Sequence, residues 1–520
     1  MPLADLIVPG RDGAPEDRAE LSSRHRATLA ILLIGWLTWC AAGSIAVRMP
    51  AFYGVDEPAH LGYAASLLAG QLPEIEDPLP RGEFAVLDLL AERYQDSGGG
   101  PNGRDVVWVA NHPPAYYLVA APFAAAGAGA IGPNGALLGM RFVSVTCMAL
   151  TAVAVGALAG RLVPGRPAVA VGAAAFFSLT AQVPNVGAFA YSDPIALLTW
   201  VLGLAVAIEV VRRPPERLSR WLAAVAAVVA IAAAGSRASL LPIVLTIAVA
   251  WAVAAVLAAR DGFSPRRALE GLAGSVVGPV LAVGPWYLRN DRLYGSITAD
   301  RYLLHRFHRR PVAHASERLV TVDFWHQAAG VMWSRMREGV EVARSLWVLA
   351  TVALVAVALG LWSVRRRRRA PTLRGFFSWA AATCASLVLL YGVSRFMSAG
   401  GSLHIRYLLP LVPVVAVLVA AGLAPRHGRP WVLVGAVVVV APIQGLMLWR
   451  LPRLLPVEAG VIGVPVESWS TAASRGLLLM WLVTLIAMLV LALQTKSSGL
   501  RPGRRQPQEK SSPTARVIAS

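Results

Sequence analysis

Residues 28–57 read TLAILLIGWLTWCAAGSIAVRMPAFYGVDE, an apolar run followed closely by two adjacent acids, Asp56 and Glu57. The run from 28 to 47 has twenty residues without a charge, which is long enough to cross the hydrocarbon core of a bilayer. Basic residues precede it, and it ends in AVRMP without a small-residue cleavage site. We therefore expect a retained membrane span rather than a removed signal peptide.

The composition extends this interpretation to the whole chain of 520 residues. Apolar residues make up 56% and charged residues 15%, whereas soluble domains carry about a quarter charged residues. Further apolar runs of similar length recur, so we predict an all-α polytopic membrane protein, a bundle of about twelve or thirteen transmembrane helices. The three cysteines are far apart in apolar runs, which predicts neither a disulfide framework nor a metal site.

The formal net charge of +19 follows the pattern of a membrane protein rather than that of a nucleic-acid binder. Basic residues cluster in short segments between apolar runs, as the positive-inside rule describes for cytoplasmic loops. These clusters are 212–220, 259–267, 365–369, 426–429 and 496–505.

The apolar runs predict twelve spans. They are 28–47, 137–160, 167–184, 194–211, 219–234, 239–258, 269–288, 343–363, 373–394, 405–424, 430–449 and 475–495. With both termini in the cytoplasm, every basic cluster faces the cytoplasm. The outer segments are then 48–136, 185–193, 289–342, 395–404 and 450–474.

The run 116–132, YYLVAAPFAAAGAGAIG, does not fit this count because it is short and rich in Gly and Ala. A full crossing would reverse every later span and place the basic loops outside. We therefore expect a re-entrant or juxtamembrane helix, with thirteen spans as the alternative. Residues 289–344 also run against the charge rule, since they carry ten arginines and six acids in a predicted outer loop.

The domain organisation follows from these assignments. Residues 1–26 are polar and rich in Pro, Gly and acids, and we expect a disordered cytoplasmic segment. Residues 27–495 form the transmembrane domain, with a large first external loop at 48–113 and a second at 289–342. The basic tail 496–520 is also expected to be disordered and cytoplasmic.

The stretch DEPAHLGYAASLLAG, 56–70, predicts a helix that starts at Pro58, beside the membrane surface. On it His60 and Tyr63 are three residues apart and share a face. The simpler interpretation is that Asp56 or Glu57 caps the helix. A cap explains one acid but leaves the second acid and the two ring side chains without a reason.

Other chemistry-bearing residues open or close apolar runs on the predicted outer side. They are His112 and Tyr116 in NHPPAYY (111–117), Asp193, Arg237 in GSRAS (235–239), Arg289, and Arg406 with Tyr407. Each has a structural alternative: an aromatic belt, a helix cap for Asp193, or snorkelling for Arg237. Together we expect them to converge with Asp56 on one cavity. The spans carry almost no Asp, Glu or Lys, which argues against an ion-coupled transporter.

The order of the motifs along the chain resembles that of a known family. The motifs are DEPAHLGYAASLLAGQLP, NHPPAYYLVAAP, an external SDP, a basic residue in a helical break, PWYLRN and IRYLLPLVP. It is similar to the GT-C fold glycosyltransferases of bacteria that use polyprenyl-phosphate-linked sugars. The mannosyltransferase and aminoarabinose-transferase branches, and especially actinobacterial proteins with a DEPxH start, share this order. The break usually carries Lys where this chain has Arg237, and the late motif usually begins with Gly where this chain has Ile405.

The resemblance implies a glycosyltransferase in the cytoplasmic membrane with its active site facing outside. Asp56 would be the catalytic base with Glu57 assisting or positioning it, and Arg237, Arg289 and Arg406 would hold the leaving phosphate. One base and a phosphate on opposite sides of the sugar would invert the anomeric centre.

The implied partners are a polyprenyl-phosphate-linked sugar, a glycan, lipid or protein acceptor, and the bilayer, with no nucleic acid. No cofactor is expected. The acid pair and His60 supply only part of a shell for a divalent metal. Two alternatives remain open from the residues: a flippase or transporter of lipid-linked saccharides, and a non-catalytic protein of envelope-glycan assembly.

Overall fold

The computed structural model describes residues 18–54, 56–96, 105–180, 182–312, 314–321, 324–325, 372–401, 404–424 and 468–498. Several predicted features lie outside these residues. They are the spans 343–363 and 430–449, the basic clusters 365–369 and 426–429, and both chain ends, before residue 18 and after residue 498.

The regular structure of the described residues is helical, apart from one isolated bridge between Pro78 and Val106. The helices, in chain order, are α1 (Arg18–Arg48), α2 (Glu57–Leu68), α3 (Ala85–Asp96), α4 (Ala115–Ile131), α5 (Gly135–Leu162), α6 (Pro167–Leu179), α7 (Gln182–Gly187), α8 (Asp193–Arg212), α9 (Arg220–Ser236), α10 (Leu241–Arg260), α11 (Arg266–Tyr294), α12 (Asp300–Arg306), α13 (Ala315–Val320), α14 (Leu373–Ser398), α15 (Val412–Leu423) and α16 (Ser468–Ser498).

Seven helical segments within the described ranges are long and apolar enough to cross a membrane. They are Leu21–Arg48, Gly135–Leu162, Asp193–Arg212, Ala238–Arg260, Arg266–Tyr294, Leu373–Ser398 and Trp469–Val490. Four shorter apolar segments accompany them: Ala115–Ile131, Pro167–Leu179, Arg220–Ser236 and Leu409–Leu423. The chain is therefore an all-α, multi-pass membrane protein, as its composition predicts.

Several boundaries differ from the sequence prediction. Helix α1 begins at Arg18, so the expected disorder is wrong for residues 18–26, where the polar residues extend the first span. The predicted span 167–184 is broken, because Thr180 is extended (φ −66°, ψ 118°) between α6 and α7. Helix α16 continues to Ser498, three residues beyond the predicted end.

Helix α4 and helix α5 form a tight antiparallel hairpin. A Cβ on Gly127 or Gly135 would collide with the carbonyl oxygen of the other, so the two backbones touch there. At the other end of the contact, the hydroxyl of Tyr116 lies 3.1 Å from that of Ser144. The 17 residues of α4 therefore run beside only the first part of the 28-residue α5, which favours the predicted non-crossing helix.

The core of the bundle lies between α1, α5, α6 and α8. Ile31, Phe177 and Trp200 are fully buried there, and apolar side chains of α15 pack against the same cluster. Because lipid is as apolar as these side chains, close packing rather than the hydrophobic effect holds such helices together. The small residues of α5 and α6, mostly Ala and Gly, permit that approach.

The segments predicted to face outward meet at one end of the bundle. Arg48 at the end of α1 donates to Thr471 near the start of α16. Near the end of α11, Asn290 donates to the carbonyl of Asn111 in the first loop. The structure thus gathers the described parts of these loops on one face, and that face bears the charged site.

Candidate active site

Asp56 stands directly before α2, at the N-cap position, yet its side chain makes no capping hydrogen bond. Its carboxylate instead accepts a hydrogen bond from the guanidinium of Arg406, in the 3₁₀ turn that precedes α15. The capping interpretation of Asp56 is therefore wrong. Both side chains are partly accessible, with 19% of the Asp56 side chain and 13% of the Arg406 side chain exposed.

A second acid–arginine pair completes a charge network. Arg237, whose backbone is extended between α9 and α10, pairs with Asp193 at the first turn of α8. Arg406 links the two pairs, because its Nη1 lies 3.8 Å from Asp193. Two carboxylates and two guanidinium groups thus alternate, and their formal charges cancel. We call Asp56, Asp193, Arg237 and Arg406 the charge network.

Aromatic rings surround the two guanidinium groups. Arg406 lies over Tyr191, 4.9 Å from the ring centroid, and over Tyr407 at 5.5 Å. Arg237 lies 5.9 Å from the same Tyr407 ring. Cation–π contacts of this kind orient a guanidinium and reduce its need for water. The rings therefore fix where both positive charges stand.

Glu57 has a different environment from its neighbour. It is fully buried, and Arg141 of α5 binds both its carboxylate oxygens at 2.7 Å. Its carboxylate also accepts from the backbone amides of Gly54 and Ala190, at 3.2 and 3.0 Å. Of the two roles expected for Glu57, assisting and positioning, these contacts favour positioning, since the side chain has no exposed surface. It is a positioning residue that ties the start of α2 to α5 and to the segment before α8.

The face of α2 that carries His60 and Tyr63 packs on Tyr117 of α4. The Nδ1 of His60 lies 2.8 Å from the Tyr117 hydroxyl, and the rings of Tyr63 and Tyr117 stack with centroids 3.7 Å apart. His112 stands on the other side, with its ring centroid 5.9 Å from that of His60. The packed rings of these side chains hold α2 against α4 beside the charge network.

Burial and neighbouring charges together lower the pKa values of Asp56, His60 and His112. Burial raises the pKa of the Asp56 carboxyl, but Arg406 and His60 outweigh it and hold that pKa well below the usual range. Burial lowers the pKa of His60 to about 3, against the opposing effect of Asp56. Burial also lowers the pKa of His112 well below the ordinary histidine value. At neutral pH the site therefore holds an ionised Asp56 beside neutral imidazoles.

Not every predicted site residue belongs to the site. Arg289 donates to the carbonyls of Leu72 and Pro73 and stacks on Trp286 4.9 Å away, so its contacts lie in the first loop rather than in the charge network. Tyr63 and Tyr116 are fully buried, and their hydroxyls bond within the protein. These contacts account for the three side chains within the protein, and their role in substrate binding stays a prediction.

His60, also predicted to bind substrate, is only 1% exposed and contacts the Tyr117 hydroxyl. His112 is half-buried, and its ring nitrogen lies 3.4 Å from the hydroxyl of Ser192, the residue directly before Asp193.

Sequence reasoning missed Arg141. It is 1% exposed, it holds Glu57, and it also donates to the carbonyls of Ala46, Met49 and Pro50. A signal was available, because Arg141 is the one charged residue near the start of an otherwise apolar span. A buried charge in a span requires a partner, and Glu57 is that partner.

The arrangement combines an accessible carboxylate with two fixed guanidinium groups. A carboxylate can accept a proton, and paired arginines bind a phosphate through charge-assisted hydrogen bonds. Among the residues that the structure describes, no three His, Cys, Asp or Glu side chains group as they would around a metal ion. The carboxylates and the two guanidinium groups thus meet at one point.

Fold and site together define a helical, multi-pass membrane protein with two carboxylates and two guanidinium groups paired at one end of its bundle. Residues 115–265 match the family described as dolichyl-phosphate-mannose-protein mannosyltransferase. The match confirms the resemblance to GT-C fold glycosyltransferases that the motifs indicate. No curated protein sequence matches the chain significantly.

Three similar solved structures are distant in sequence. ArnT from Cupriavidus metallidurans in the apo state is 16% identical, with a TM-score of 0.45, over 90% of this chain and 71% of ArnT. ArnT bound to undecaprenyl phosphate is 13% identical, with a TM-score of 0.42, over 91% of this chain and 78% of ArnT. The oligosaccharyltransferase of Archaeoglobus fulgidus in the apo form is 12% identical, with a TM-score of 0.39, over 89% of this chain. The chain spans only 56% of that enzyme's length.

Proposed function

We propose that the protein is a membrane glycosyltransferase. It moves a sugar from a polyprenyl-phosphate donor to a cell-envelope acceptor at the outer face of the cytoplasmic membrane. The observation that carries the proposal is the direct pairing of Asp56 with Arg406, next to Asp193 and Arg237. The family match over 115–265 supports the donor class.

The transfer needs three things from the protein. Asp56 takes the proton of the acceptor hydroxyl while the hydroxyl oxygen bonds to the anomeric carbon. The bond from that carbon to the phosphate oxygen breaks, and its electron pair leaves with the polyprenyl phosphate. Arg406 and Arg237 bind this phosphate as its negative charge develops. They lower the activation barrier because they stabilise the charge that the phosphate gains in the transition state.

The acids of the site favour a single displacement with inversion. A double displacement needs a second carboxylate as the nucleophile on the opposite face of the sugar. Glu57 is buried under Arg141, and the Asp193 side chain is 5% exposed and bound to Arg237. Asp56 is the most accessible acid of the charge network, so it serves as the one base.

A reconstitution experiment tests this function. Purified protein in liposomes is given polyprenyl-phosphate sugars and candidate acceptors, and both the chemical fate and the leaflet of the donor are measured. A glycosyltransferase consumes the donor and releases polyprenyl phosphate. A flippase relocates the donor unchanged, and a non-catalytic assembly protein does neither. Either of the last two results overturns the proposal.

A further inference from the structure

We propose that the ion pair between Asp56 and Arg406 is a latch that the donor phosphate opens. Before the donor binds, Arg406 holds the base, and the arriving phosphate displaces Asp56 from the guanidinium. This inference rests on the proposed function, since it assigns an order of events to the same site. Its consequence is that donor binding both supplies the sugar and releases the base.

The contacts of Arg406 show that it can exchange partners. It binds Asp56 directly, while Asp193 lies at the longer distance of 3.8 Å. Its Nε is buried and has no hydrogen-bond partner, so the guanidinium has donor capacity left. Tyr191 and Tyr407 both lie against the guanidinium, so the partner changes while the cation stays in place.

Charge balance decides which acid leaves. Two acids and two arginines are neutral together, so a phosphate adds a third anion to two cations. Like charges this close repel strongly in a partly buried site, and one anion must give way. Asp193 is 5% exposed and held by Arg237, whereas Asp56 is 19% exposed and stands directly before the first residue of α2. Asp56 therefore moves with the smaller cost.

Release changes what Asp56 can do. A carboxylate paired with arginine is a weak base, because the guanidinium stabilises its ionised form. Once the phosphate occupies Arg406, Asp56 loses that stabilisation and becomes a stronger acceptor for the proton of the acceptor hydroxyl. The latch thus predicts ordered binding, with the donor before the acceptor.

The latch makes an unusual prediction about affinity: removal of the competing acid strengthens phosphate binding. The experiment measures binding of undecaprenyl phosphate to the purified full chain in nanodiscs. Asp56→Asn is expected to bind about tenfold more tightly than the wild type, the effect of one lost charge-assisted hydrogen bond. Glu76→Gln removes an acid that pairs with Arg306 outside the network, and it should leave the affinity unchanged.

A double-mutant comparison separates the latch from general electrostatics. In an Arg406→Gln background, Asp56→Asn should no longer tighten binding, because the contested guanidinium is absent. If Arg406→Gln does not fold, Arg406→Lys keeps the charge without the planar fork, and the effect of Asp56→Asn should shrink in it.

The outcomes bear separately on the two proposals. Equal or weaker binding of undecaprenyl phosphate by Asp56→Asn overturns the latch, as does tightening that persists in the Arg406→Gln background. Loss of sugar transfer in Asp56→Asn without tighter binding leaves the proposed function standing and removes the latch alone. Retained sugar transfer in Asp56→Asn removes the assignment of Asp56 as the base, and the latch with it, while the glycosyltransferase activity stands.

Discussion

Asp56 and Arg406 form an ion pair although 350 residues separate them in the chain. The first stands before α2 in the first loop, and the second lies in the turn that leads into α15. Such a contact requires the beginning and the late part of the chain to fold against each other. The site is therefore a product of the whole bundle rather than of one loop.

The arginines of the site should differ sharply from Arg289. We expect Arg406→Gln to lower kcat/KM for the lipid-linked donor by about 100-fold or more, because it removes a guanidinium that meets the developing phosphate charge. Arg289→Gln should lower it less than about threefold, since Arg289 contacts loop carbonyls instead. Steady-state transfer by the two variants provides the comparison. Equal losses would place Arg289 in the phosphate site.

Substitution of the two adjacent acids should affect the thermal stability of the protein differently. Glu57→Gln leaves Arg141 buried without its counter-charge, which costs about 3–5 kcal/mol in comparable pairs, so we expect a large fall in Tm. Asp56→Asn should keep a Tm close to that of the wild type, because its partner Arg406 still faces Asp193. Thermal unfolding of both variants in the same detergent checks this. A stable Glu57→Gln would contradict the positioning role.

The α4–α5 hairpin should depend on one glycine and not on its neighbour. A Cβ at Gly127 meets the backbone carbonyl of Gly135, so Gly127→Ala must push the two helices apart. We expect it to destabilise the protein by at least about 2 kcal/mol. Gly129→Ala is the matched control, because nothing lies within 4 Å of its Cβ and alanine favours a helix. A similar Tm for both variants would refute the close approach.

Acid should destabilise the protein through its buried histidines. His60 has a pKa near 3 in the folded state, whereas the unfolded chain binds a proton near pH 6.5. Below that value the unfolded state takes up more protons, so stability falls as the pH drops from 6.5 towards 3, by up to about 1.4 kcal/mol per pH unit. His60→Gln should flatten the decrease in Tm between pH 7 and pH 5. An unchanged slope would show that His60 is not buried in its neutral form.

Much of the architecture could be predicted because membrane spans have a strong signal. Long apolar runs with few charges mark α1, α5, α8 and α10. The arginines between the runs predict which loops face the cytoplasm. The position of Arg237 in a helical break could also be predicted, because a short apolar run ends there. What the runs do not encode is how a span starts or breaks, as at Thr180.

Side-chain partners were harder to predict because they depend on direction around a helix. Asp56 and Glu57 are neighbours, yet one pairs with Arg406 and the other with Arg141, and no sequence pattern distinguishes them. The partner of Arg141 could not be read from the sequence, since Glu57 lies 84 residues away. Arg289 had the right residue type at the right end of its span, but its side chain points to the first loop.

The central claim, that Asp56 is the base of a sugar transfer from a polyprenyl-phosphate donor, is tested most directly by one rate comparison. Wild type, Asp56→Asn and the exposed control Glu76→Gln are reconstituted at equal density, and sugar transfer is measured at saturating donor. We expect Glu76→Gln to match the wild type and Asp56→Asn to lose at least about 100-fold. Transfer by Asp56→Asn at the wild-type rate would contradict the account.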